Sequence, residues 1–544
     1  MNLNPLTDHD AFIHRSPFPA ADIPDSALTP VIMRRAADLG DRPAIIDGPT
    51  GRVVTYAQLA SQIRAVAAGL ADRGLKKGDV LAVYAPNVPE YAVVFHAVIS
   101  IGGVVSTANP LLTAGELTSQ LVDGNARFLV TVPPLLEAAL AAAQSAELPS
   151  DNVYVIGTAP GVASISELAV TGGEPPTIDI DPDEDLAVLP YSSGTTGLPK
   201  GVMLTHRNLV AQDAQIAVNE QVIKPDDVVI AVLPFFHIYG MSVIMNHGLS
   251  QGATLVTMPR FDLPQFLELI QQHRVTRAFL VPPIVLALAK HPIVENYDLS
   301  SLQVIFCGAA PLGADLSRAA STRLDCIIKQ GYGMTETSPV THLTPDDGVK
   351  DGKIGLLAAN TEAMIVDTET LLPLGPDQDG ELWVRGPQIM RGYLNRPEAT
   401  AVTIVDGGWL RTGDIASVDE DGYFTIVDRL KELIKYKGYQ VAPAELEAVL
   451  LTHPSVADAA VIGSPDEESG EVPKAFVVRK DEVSADDLIA YVAEHVAPYK
   501  KIRLLDFVES VPKSTSGKIL RRNLIEEERE RVRSSTDAPS RVEA

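Results

Sequence analysis

The sequence predicts an α/β protein: a large N-terminal domain of stacked βαβ-type sheets plus a β section, then a small α+β C-terminal domain. Apolar runs of strand length alternate with helical patterns from Thr29 to Tyr332, which is typical of parallel βαβ units. Residues 354–427 are rich in turns and short β-like runs, and the pattern changes again after Asp428. A chain of 544 residues is also too long to fold around a single hydrophobic core. We therefore predict domains at residues 1–428 and 429–544.

Individual elements follow from local pattern. Continuous apolar runs predict buried strands, and these runs lie at residues 79–84, 127–132, 228–233, 278–281 and 304–307. Helical spacing of apolar residues predicts helices at residues 89–97 and 263–273. Residues 525–533 form a charged helical pattern, which indicates a helix with a solvated surface.

Composition excludes several classes of protein. A net charge of −26 argues against nucleic acid and anionic membrane surfaces as partners. Two cysteines exclude a disulfide scaffold and a cysteine-rich zinc site. No apolar run is long enough to span a bilayer, and the first residues show no secretory signal pattern. We expect a cytoplasmic protein, a monomer or weak dimer, without stable membrane insertion.

The segment Tyr191–Gly201 has the composition of a phosphate-binding loop. It holds four serine and threonine hydroxyls, three glycines and Lys200 within eleven residues. Glycine allows backbone amides to approach a phosphate closely, and lysine supplies a mobile positive charge. It is not a Walker A loop, because Pro199 precedes Lys200 and Gly201 follows it. The pattern indicates an anionic ligand such as a polyphosphate.

Three loops of unusual composition follow predicted strands. They are the Tyr191–Gly201 segment, residues 234–240 and residues 308–311. In open α/β sheets ligands bind beyond the carboxyl ends of strands. We therefore expect the three loops to meet over one crevice.

Several motifs in fixed order extend this interpretation over roughly 500 residues. They lie at Ser192–Gly201, Phe236–Tyr239, Gly308–Pro311, Gln330–Glu336, Thr412–Asp414, Arg429–Gln440 and Pro512–Lys518. Any one of these motifs, taken alone, is explained more simply as a helix cap, a turn or a solvated surface. The complete set in this order does not have such a simple explanation. The sequence resembles the adenylate-forming superfamily of acyl-CoA synthetases and luciferases, and most resembles 4-coumarate–CoA ligases.

The resemblance implies an ATP-dependent carboxylic acid–CoA ligase. ATP and the acid would first give an acyl-adenylate and pyrophosphate, and the thiol of coenzyme A would then displace AMP. The implied ligands are ATP, Mg²⁺ and coenzyme A. The implied acid is 4-coumarate or a related hydroxycinnamate.

The resemblance also assigns residues to roles. The ATP and AMP set combines hydroxyls, backbone positions and charges: Ser192, Ser193, Gly194, Thr195, Thr196, Lys200, Ala309, Gln330, Gly331, Tyr332, Thr335, Asp414 and Arg429. Glu336 would hold Mg²⁺, a cation that prefers oxygen ligands. The acyl pocket comprises Ile238, Tyr239, Ser242, Gly308, Pro339 and Val340, and the catalytic set comprises Lys518, Lys435, Gln440 and His237. Arg260, Lys437 and Gly438 match contacts to coenzyme A.

The same resemblance implies that the C-terminal domain is mobile. It would rotate about Lys431, presenting Lys518 for adenylation and then the segment from Lys435 to Gln440 for thioester formation. A rigid-body swing about one backbone position is an ordinary hinge motion.

The identity of the acid stays open at this stage. Phe306 stands where plant relatives commonly carry lysine, and Ser242 replaces an asparagine-like residue. A medium- or long-chain fatty acid is therefore an alternative substrate. Transfer of the acyl group to a carrier protein is a separate alternative for the second step. A luciferase-like oxygenase and a catalytically silent binding protein are further alternatives, the last disfavoured because the charged motif residues are all present.

Overall fold

The computed structural model describes residues 10–171, 173–192, 199–218, 222–430, 432–436, 439–466, 469–496, 498–514 and 517–536. Over these ranges the strands form four sheets. None of the described helices combines the length and the apolar character that crossing a membrane requires.

Two sheets, parallel in their centres, form the bulk of the N-terminal part. The first has eight described strands in the spatial order Gly392–Tyr393, Lys200–Thr205, Leu186–Ser192, Val104–Ala108, Val80–Tyr84, Ala126–Thr131, Val153–Val155 and Ala163–Ser164. The second has nine in the order Leu356–Leu357, Val340–Leu343, Ile327–Gly333, Val304–Cys307, Arg277–Leu280, Val228–Ala231, Thr254–Thr257, Pro43–Asp47 and Val53–Thr55.

Two smaller sheets follow along the chain. The third is antiparallel and holds His14–Arg15, Glu362–Val366, Gly380–Arg385, Trp409–Val418 and Ile404–Val405, with Phe424–Arg429 paired to Trp409–Val418. The fourth holds Tyr439–Val441, Ile434–Tyr436, Gly470–Arg479 and Val456–Asp466, with Leu504–Phe507 paired to Gly470–Arg479. The chain thus passes from the third sheet to the fourth between residues 429 and 434, while the predicted domain boundary itself stays a prediction.

Helices cover the sheets. The described α-helices are Leu28–Ile32, Ala36–Leu39, Tyr56–Asp72, Pro89–Ser100, Ala114–Asp123, Leu136–Ser145, Ile165–Thr171, His206–Ala217, Gly248–Gln251, Leu263–His273, Pro282–Lys290, Ala314–Leu324, Pro397–Thr403, Pro443–Thr452, Ala485–His495 and Arg521–Thr536. Tyr239–His247 is a π-helix. Short 3₁₀ turns lie at Asp10–Phe12, Pro133–Leu135, Ser150–Asn152, Pro292–Asn296, Thr335–Thr337, Asp406–Gly408 and Pro498–Lys500.

The predicted helix at residues 263–273 shows how local sequence specifies an element. Asp262 caps its first turn by accepting a hydrogen bond from the Gln265 amide, and proline occupies the first turn. Arg274 ends the helix in the left-handed conformation. Its apolar side packs four residues into the core, namely Phe266, Leu267, Leu269 and Ile270. The predicted strand at residues 304–307 is likewise found with the same bounds.

The core explains why the parallel strands read as continuous apolar runs. Val80–Tyr84 and Val304–Cys307 are buried at every position, since each central strand is covered on both faces. One apolar cluster joins elements of both large sheets, and a separate cluster lies under the fourth sheet. Because both faces of these strands are buried, their sequences lack the alternation of polar and apolar residues that an exposed face would require.

Several predicted elements differ from the structure, and three of these differences bear on later sections. The strand predicted at residues 228–233 ends at Ala231, because the carbonyls of Ala231 and Leu233 accept hydrogen bonds from Asn87 instead. Residues 239–240, predicted as loop, begin the π-helix. The predicted solvated helix runs from Arg521 to Thr536 and is partly buried, since Glu528 is 3% exposed and pairs with the buried Lys474.

Candidate active site

Glu336 lies at the meeting point of the two parallel sheets. Its carboxylate accepts hydrogen bonds from Ser192 Oγ at 3.1 Å and from the Tyr393 hydroxyl at 2.9 Å. The ammonium of Lys200 lies 4.8 Å from the centre of the Tyr393 ring. Both described ends of the predicted phosphate loop are thereby placed beside one buried carboxylate. A phosphate bound here would meet a hydroxyl, a lysine and a carboxylate able to bind a cation.

A close backbone approach positions the turn that carries Glu336. A Cβ atom on Gly333 would lie 1.9 Å from the carbonyl oxygen of Pro339, so only glycine fits there. The amide of Met334 donates to the same oxygen at 3.1 Å, and a cis peptide precedes Pro339. The main-chain amide of Met390 donates to the Glu336 carbonyl at 2.9 Å. The backbone around Glu336 is therefore held from both sides.

Asp414 forms a second polar centre with Tyr332 and Arg429. The Tyr332 hydroxyl donates a short hydrogen bond to Asp414, and Arg429 Nε lies 3.4 Å from the other carboxylate oxygen. Asp414 and Arg429 are directly opposite on paired strands. Burial raises the pKa of Asp414, while Arg429 and Tyr332 oppose that rise. This carboxylate can accept paired hydroxyl donors such as those of a ribose.

The loop from Gly308 to Leu312 is shaped by Gln330. The side-chain amide of Gln330 donates to the Leu312 carbonyl at 3.1 Å and accepts from the Leu312 amide at 2.9 Å. Ala309 adopts a φ of 71°, a conformation uncommon outside glycine and concentrated at functional sites. The predicted adenine-binding residues Ala309, Gln330 and Gly331 thus lie on adjacent segments of the second sheet.

His237 and Tyr239 lie in a segment that is held by side chains from a bend and a strand distant in the sequence. Asn87 accepts a hydrogen bond from the Phe235 amide at 2.7 Å, and Thr107 donates to the Phe236 carbonyl at 2.7 Å. Burial, with a smaller effect from Lys518, lowers the pKa of His237 to about 3. The imidazole is therefore neutral at physiological pH, and it can donate and accept hydrogen bonds without carrying a charge.

Aromatic rings and glycines line the predicted acyl pocket. The rings of Phe279 and Phe306 lie 5.8 Å apart at 31°, and Tyr239 stands perpendicular to Phe279 at 6.3 Å. A Cβ atom on Gly308 would lie 3.0 Å from the Tyr239 ring, and one on Gly331 would lie 2.5 Å from Phe306 Cζ. The remaining predicted pocket residues are all buried: Ile238, Ser242, Pro339 and Val340. We call this group of rings and glycines the acyl slot.

The hairpin of Lys518 reaches the same centre from the C-terminal part. Gly517 packs on Val281, to whose Cγ2 a Cβ atom would approach within 3.1 Å. The Ser514 amide donates to the Lys518 carbonyl at 2.8 Å, which closes the turn. Burial and the nearby Arg429 lower the pKa of Lys518, whereas Asp414 and Glu336 raise it. The structure thus brings Lys518 together with the acidic residues of both polar centres.

The remaining predicted residues are exposed, adjoin Glu336 in the sequence, are described by their backbone alone, or lie outside the described ranges. Lys435 is exposed on the strand Ile434–Tyr436, and Arg260 is exposed in a bend after the strand Thr254–Thr257. Of Gln440 the structure describes the backbone, in the strand Tyr439–Val441. The predicted residues outside the described ranges are Ser193, Gly194, Thr195, Thr196, Lys431, Lys437 and Gly438. Thr335 opens the 3₁₀ turn that contains Glu336.

The predicted crevice is found in a different form. Gly308 lies against the Tyr239 ring, which a Cβ atom would approach within 3.0 Å, so the segments 234–240 and 308–311 meet. The described ends of the first loop belong to the other parallel sheet. The site therefore lies between two sheets rather than along the edge of one.

Sequence reasoning missed Tyr393 and Asn87. Tyr393 follows Gly392 in a short strand paired to Lys200–Thr205, and its contact with Glu336 spans 57 positions. Asn87 holds a strand end 144 to 148 positions away. One tyrosine in a two-residue strand and one asparagine in a bend carry no local sequence signal for these roles.

Comparisons with known proteins agree with this geometry. The profile of the family described as AMP-binding enzyme matches residues 32–394, and that of its C-terminal domain matches residues 445–518. The 4-coumarate–CoA ligase of Pinus taeda is 46% identical over 527 residues, covering 94% of this chain and 97% of that protein. 4-Coumarate–CoA ligase 5 of Oryza sativa subsp. japonica is 44% identical, with 95% and 97% covered.

Solved structures show the same fold. ATP-bound MatB from Rhodopseudomonas palustris superposes with a TM-score of 0.83 at 31% identity, covering 92% of this chain and 99% of that one. The anthranilate–CoA ligase AuaEII in complex with anthranoyl-AMP gives a TM-score of 0.85 at 25% identity, covering 95% and 98%.

The two profiles and the nearly full-length relatives define the class: the chain belongs to the adenylate-forming AMP-binding enzyme family. Within that class it is an AMP-forming acid–thiol ligase similar to 4-coumarate–CoA ligases. Such an enzyme joins a carboxylic acid to coenzyme A at the expense of ATP, through an acyl-adenylate.

Proposed function

We propose that the protein joins 4-coumarate or a related hydroxycinnamate to coenzyme A. The observation that carries this proposal is the acyl slot, where the tilted rings of Phe279 and Phe306 stand beside Gly308 and Gly331. A planar aryl ring packs favourably against aromatic faces and edges, and Gly308 and Gly331 let the Tyr239 and Phe306 rings lie directly against the backbone. The relatives named 4-coumarate–CoA ligases support the same class of acid.

The second candidate acid is a medium- or long-chain fatty acid. Phe306 presents an apolar ring, and the Tyr239 hydroxyl is already engaged with the Phe306 carbonyl. An apolar wall accepts an alkyl chain as well as a ring. Transfer of the acyl group to a carrier protein, instead of coenzyme A, would use the same first step.

In the proposed reaction, an acid oxygen attacks the α-phosphorus of ATP and pyrophosphate leaves with the bonding electrons. Ser192 and Lys200 would hold the leaving phosphates, and Asp414 would hold the ribose. Lys518 would stabilise the negative charge that grows as the bond breaks, since a fixed cation acts strongly at a partly buried site. The thiolate of coenzyme A would then attack the acyl carbon and release AMP.

We propose that Glu336 holds Mg²⁺ together with the phosphates of ATP. Mg²⁺ is commonly bound by one or two carboxylates plus substrate phosphates. Glu336 supplies one carboxylate beside the Ser192 hydroxyl. In the parts of the chain that are described, no cluster of three or more histidine, cysteine, aspartate or glutamate side chains could hold a metal by itself. The donor set therefore fits a cation that arrives with the nucleotide.

A panel of acids tests the proposed function. Acid-dependent exchange of pyrophosphate into ATP would be measured with 4-coumarate, caffeate, ferulate, cinnamate, benzoate and the series from acetate to dodecanoate. We expect the highest kcat/KM with a hydroxycinnamate, and consumption of coenzyme A in the complete reaction. A preference for dodecanoate would favour the fatty-acid alternative, and exchange without consumption of coenzyme A would favour the carrier. Exchange with none of the acids would contradict the proposal.

Replacing Tyr393 with phenylalanine tests the link between Glu336 and Lys200. The ring under Lys200 remains, but the hydroxyl bonded to Glu336 is lost. A hydrogen bond to a charged group contributes about 1.5–3 kcal/mol, so the exchange rate should fall about tenfold or more. If Glu336 binds the cation, the Mg²⁺ concentration for half-maximal exchange should also rise.

Tyr423 provides the matched control for this substitution. Its ring lies 4.2 Å from the Lys350 ammonium, and its hydroxyl donates to the Gly348 carbonyl at 2.8 Å. Tyr423→Phe should leave the Mg²⁺ dependence unchanged, because this pair lies away from Glu336. An identical shift in both variants would argue against the assignment of Tyr393.

Phe306→Leu tests the acyl slot. The smaller side chain should loosen the wall against an aryl ring, so the ratio of kcat/KM for 4-coumarate to that for octanoate should fall about tenfold. Phe266 is a buried phenylalanine of the helix Leu263–His273 and serves as the control. Phe266→Leu should lower thermal stability but leave that ratio unchanged. An unchanged ratio in Phe306→Leu would mean that this wall does not contact the acid.

A further inference from the structure

Arg521 uses all three guanidinium nitrogens in one partly buried network. It is the first residue of the C-terminal helix and follows Lys518 by three positions. Nη1 donates to Glu432 at 2.6 Å, and Nη2 donates to the two carboxylate oxygens of Glu447 at 2.8 and 2.7 Å. Nε donates to the Val461 carbonyl at 3.3 Å. The side chain is 13% exposed.

The two acidic partners lie in segments that flank the predicted hinge on its C-terminal side. Glu432 comes directly after residue 431, and its amide donates to the Arg429 carbonyl at 2.9 Å. Glu447 is buried in the helix Pro443–Thr452 and also accepts from the Val461 amide at 2.8 Å. Burial raises the pKa of Glu447 to about 7, and Arg521 opposes this rise. Arg521 therefore connects the segment after Arg429, a helix and a strand.

The chain between Lys518 and Arg521 leaves little freedom. The Leu520 amide donates to the Pro512 carbonyl at 2.8 Å, and Lys513 pairs with Ile519 in an antiparallel bridge. With only two residues between them, a displacement of Arg521 must be passed to the hairpin that carries Lys518. The orientation of the guanidinium plane is fixed because its three nitrogens donate to three different residues, Glu432, Glu447 and Val461.

We propose that Arg521 is a positioning residue that locks the Lys518 hairpin to Glu432 and Glu447, and so sets Lys518 for adenylation. This inference rests on the proposed role of Lys518 in the adenylating step. Arg521 itself touches no nucleotide-binding residue in its described contacts; it acts through the lysine. The bond to Glu432 joins residues on the same side of position 431, so it would persist through a rotation there.

Arg521→Lys tests this role. A lysine keeps the charge but lacks the planar fork, so it cannot span both carboxylates. A misplacement of about 1 Å can lower a rate about 10²-fold. We expect exchange of pyrophosphate to fall by about that factor in kcat, with KM for ATP within about twofold of the wild type. Conversion of supplied acyl-adenylate and coenzyme A to thioester should be retained.

Lys474→Met is the matched control, because it loosens the same helix elsewhere. Lys474 is fully buried and donates to Glu528 of the C-terminal helix at 2.6 Å. Its loss should lower the melting temperature and reduce both half-reactions in the same proportion. A role of Arg521 that is only structural predicts this same pattern for Arg521→Lys.

Glu432→Gln gives a second, milder test that does not depend on Arg521 variants folding. It removes one charged partner at a half-buried position, so a smaller loss confined to adenylation is expected.

A double-mutant cycle tests the contact itself. The effects of Arg521→Lys and Glu432→Gln on the exchange rate should be non-additive, since both substitutions break one shared contact.

The outcomes separate this inference from the proposed function. Selective loss of adenylation supports it, and equal loss of both half-reactions, or no loss, overturns it. Absence of exchange in the wild type with every acid would overturn the proposed function and this inference together. Wild-type exchange with proportional losses in the variants would overturn this inference alone.

Discussion

Lys518→Ala should lower the acid-dependent exchange of pyrophosphate by about 10²–10³-fold, the usual effect of removing one group that stabilises charge in a transition state. The ammonium lies where Arg429, Asp414 and Glu336 all act on it. Formation of thioester from supplied acyl-adenylate should remain within a few-fold of the wild type, because AMP then leaves without a new phosphoryl bond being made. Separate assays of the two half-reactions measure this difference.

Lys513→Ala is the control for Lys518. It lies in the same hairpin, but its ammonium pairs with Asp458 at 2.6 to 2.8 Å. We expect near wild-type rates in both half-reactions, since this pair faces its own domain. Equal losses of activity in the two lysine variants would show that the hairpin matters only for folding. Full pyrophosphate exchange by the Lys518→Ala enzyme would contradict the proposed role of Lys518 in adenylation.

Asp414→Asn should raise KM for ATP and lower kcat/KM for exchange about 10²-fold. The substitution keeps the shape of the side chain but removes the charge that faces Arg429 and accepts from Tyr332. The two hydrogen bonds that Asp414 is proposed to accept from the ribose hydroxyls would both be weakened. Each hydrogen bond to a charged group contributes about 1.5–3 kcal/mol, which accounts for this magnitude. Steady-state kinetics with varied ATP would measure it.

A nucleotide analogue makes the test of Asp414 specific. If Asp414 accepts both ribose hydroxyls, the wild type should prefer ATP to 2′-deoxyATP, and Asp414→Asn should lose most of that preference. Asp419, at the far end of the same hairpin, pairs with Lys353 at 3.3 Å and is the control. Asp419→Asn should keep the preference. The same preference in wild type and Asp414→Asn would contradict ribose binding by this carboxylate.

Much of the fold could be predicted because its signals are local. The helix Leu263–His273 carries its own cap, first-turn proline and apolar stripe, and the strand Val304–Cys307 is a short apolar run. The β section at residues 354–427 is likewise found as antiparallel strands. The π-helix at Tyr239–His247 had no such signal, because its bonding pattern depends on packing at the acyl slot.

The domain boundary after Asp428, the hinge at Lys431, the contacts of Arg260 to coenzyme A and the cytoplasmic location stay predictions. So does the oligomeric state, expected to be monomer or weak dimer. The half-reaction assays bear directly on the hinge, because Lys431→Pro should slow thioester formation more than adenylation.

The sequence by itself determined the class of chemistry, because the motifs that carry Lys200, Glu336, Asp414 and Lys518 are short and contiguous. The tertiary structure decided how these groups are held. Tyr393 meets Glu336 across 57 positions, and Arg521 meets Glu432 across 89. Contacts at such separations depend on how sheets and hairpins pack, and packing leaves no periodicity in the chain. Motif reading therefore finds the reacting groups, whereas only the packed structure shows the side chains that position them.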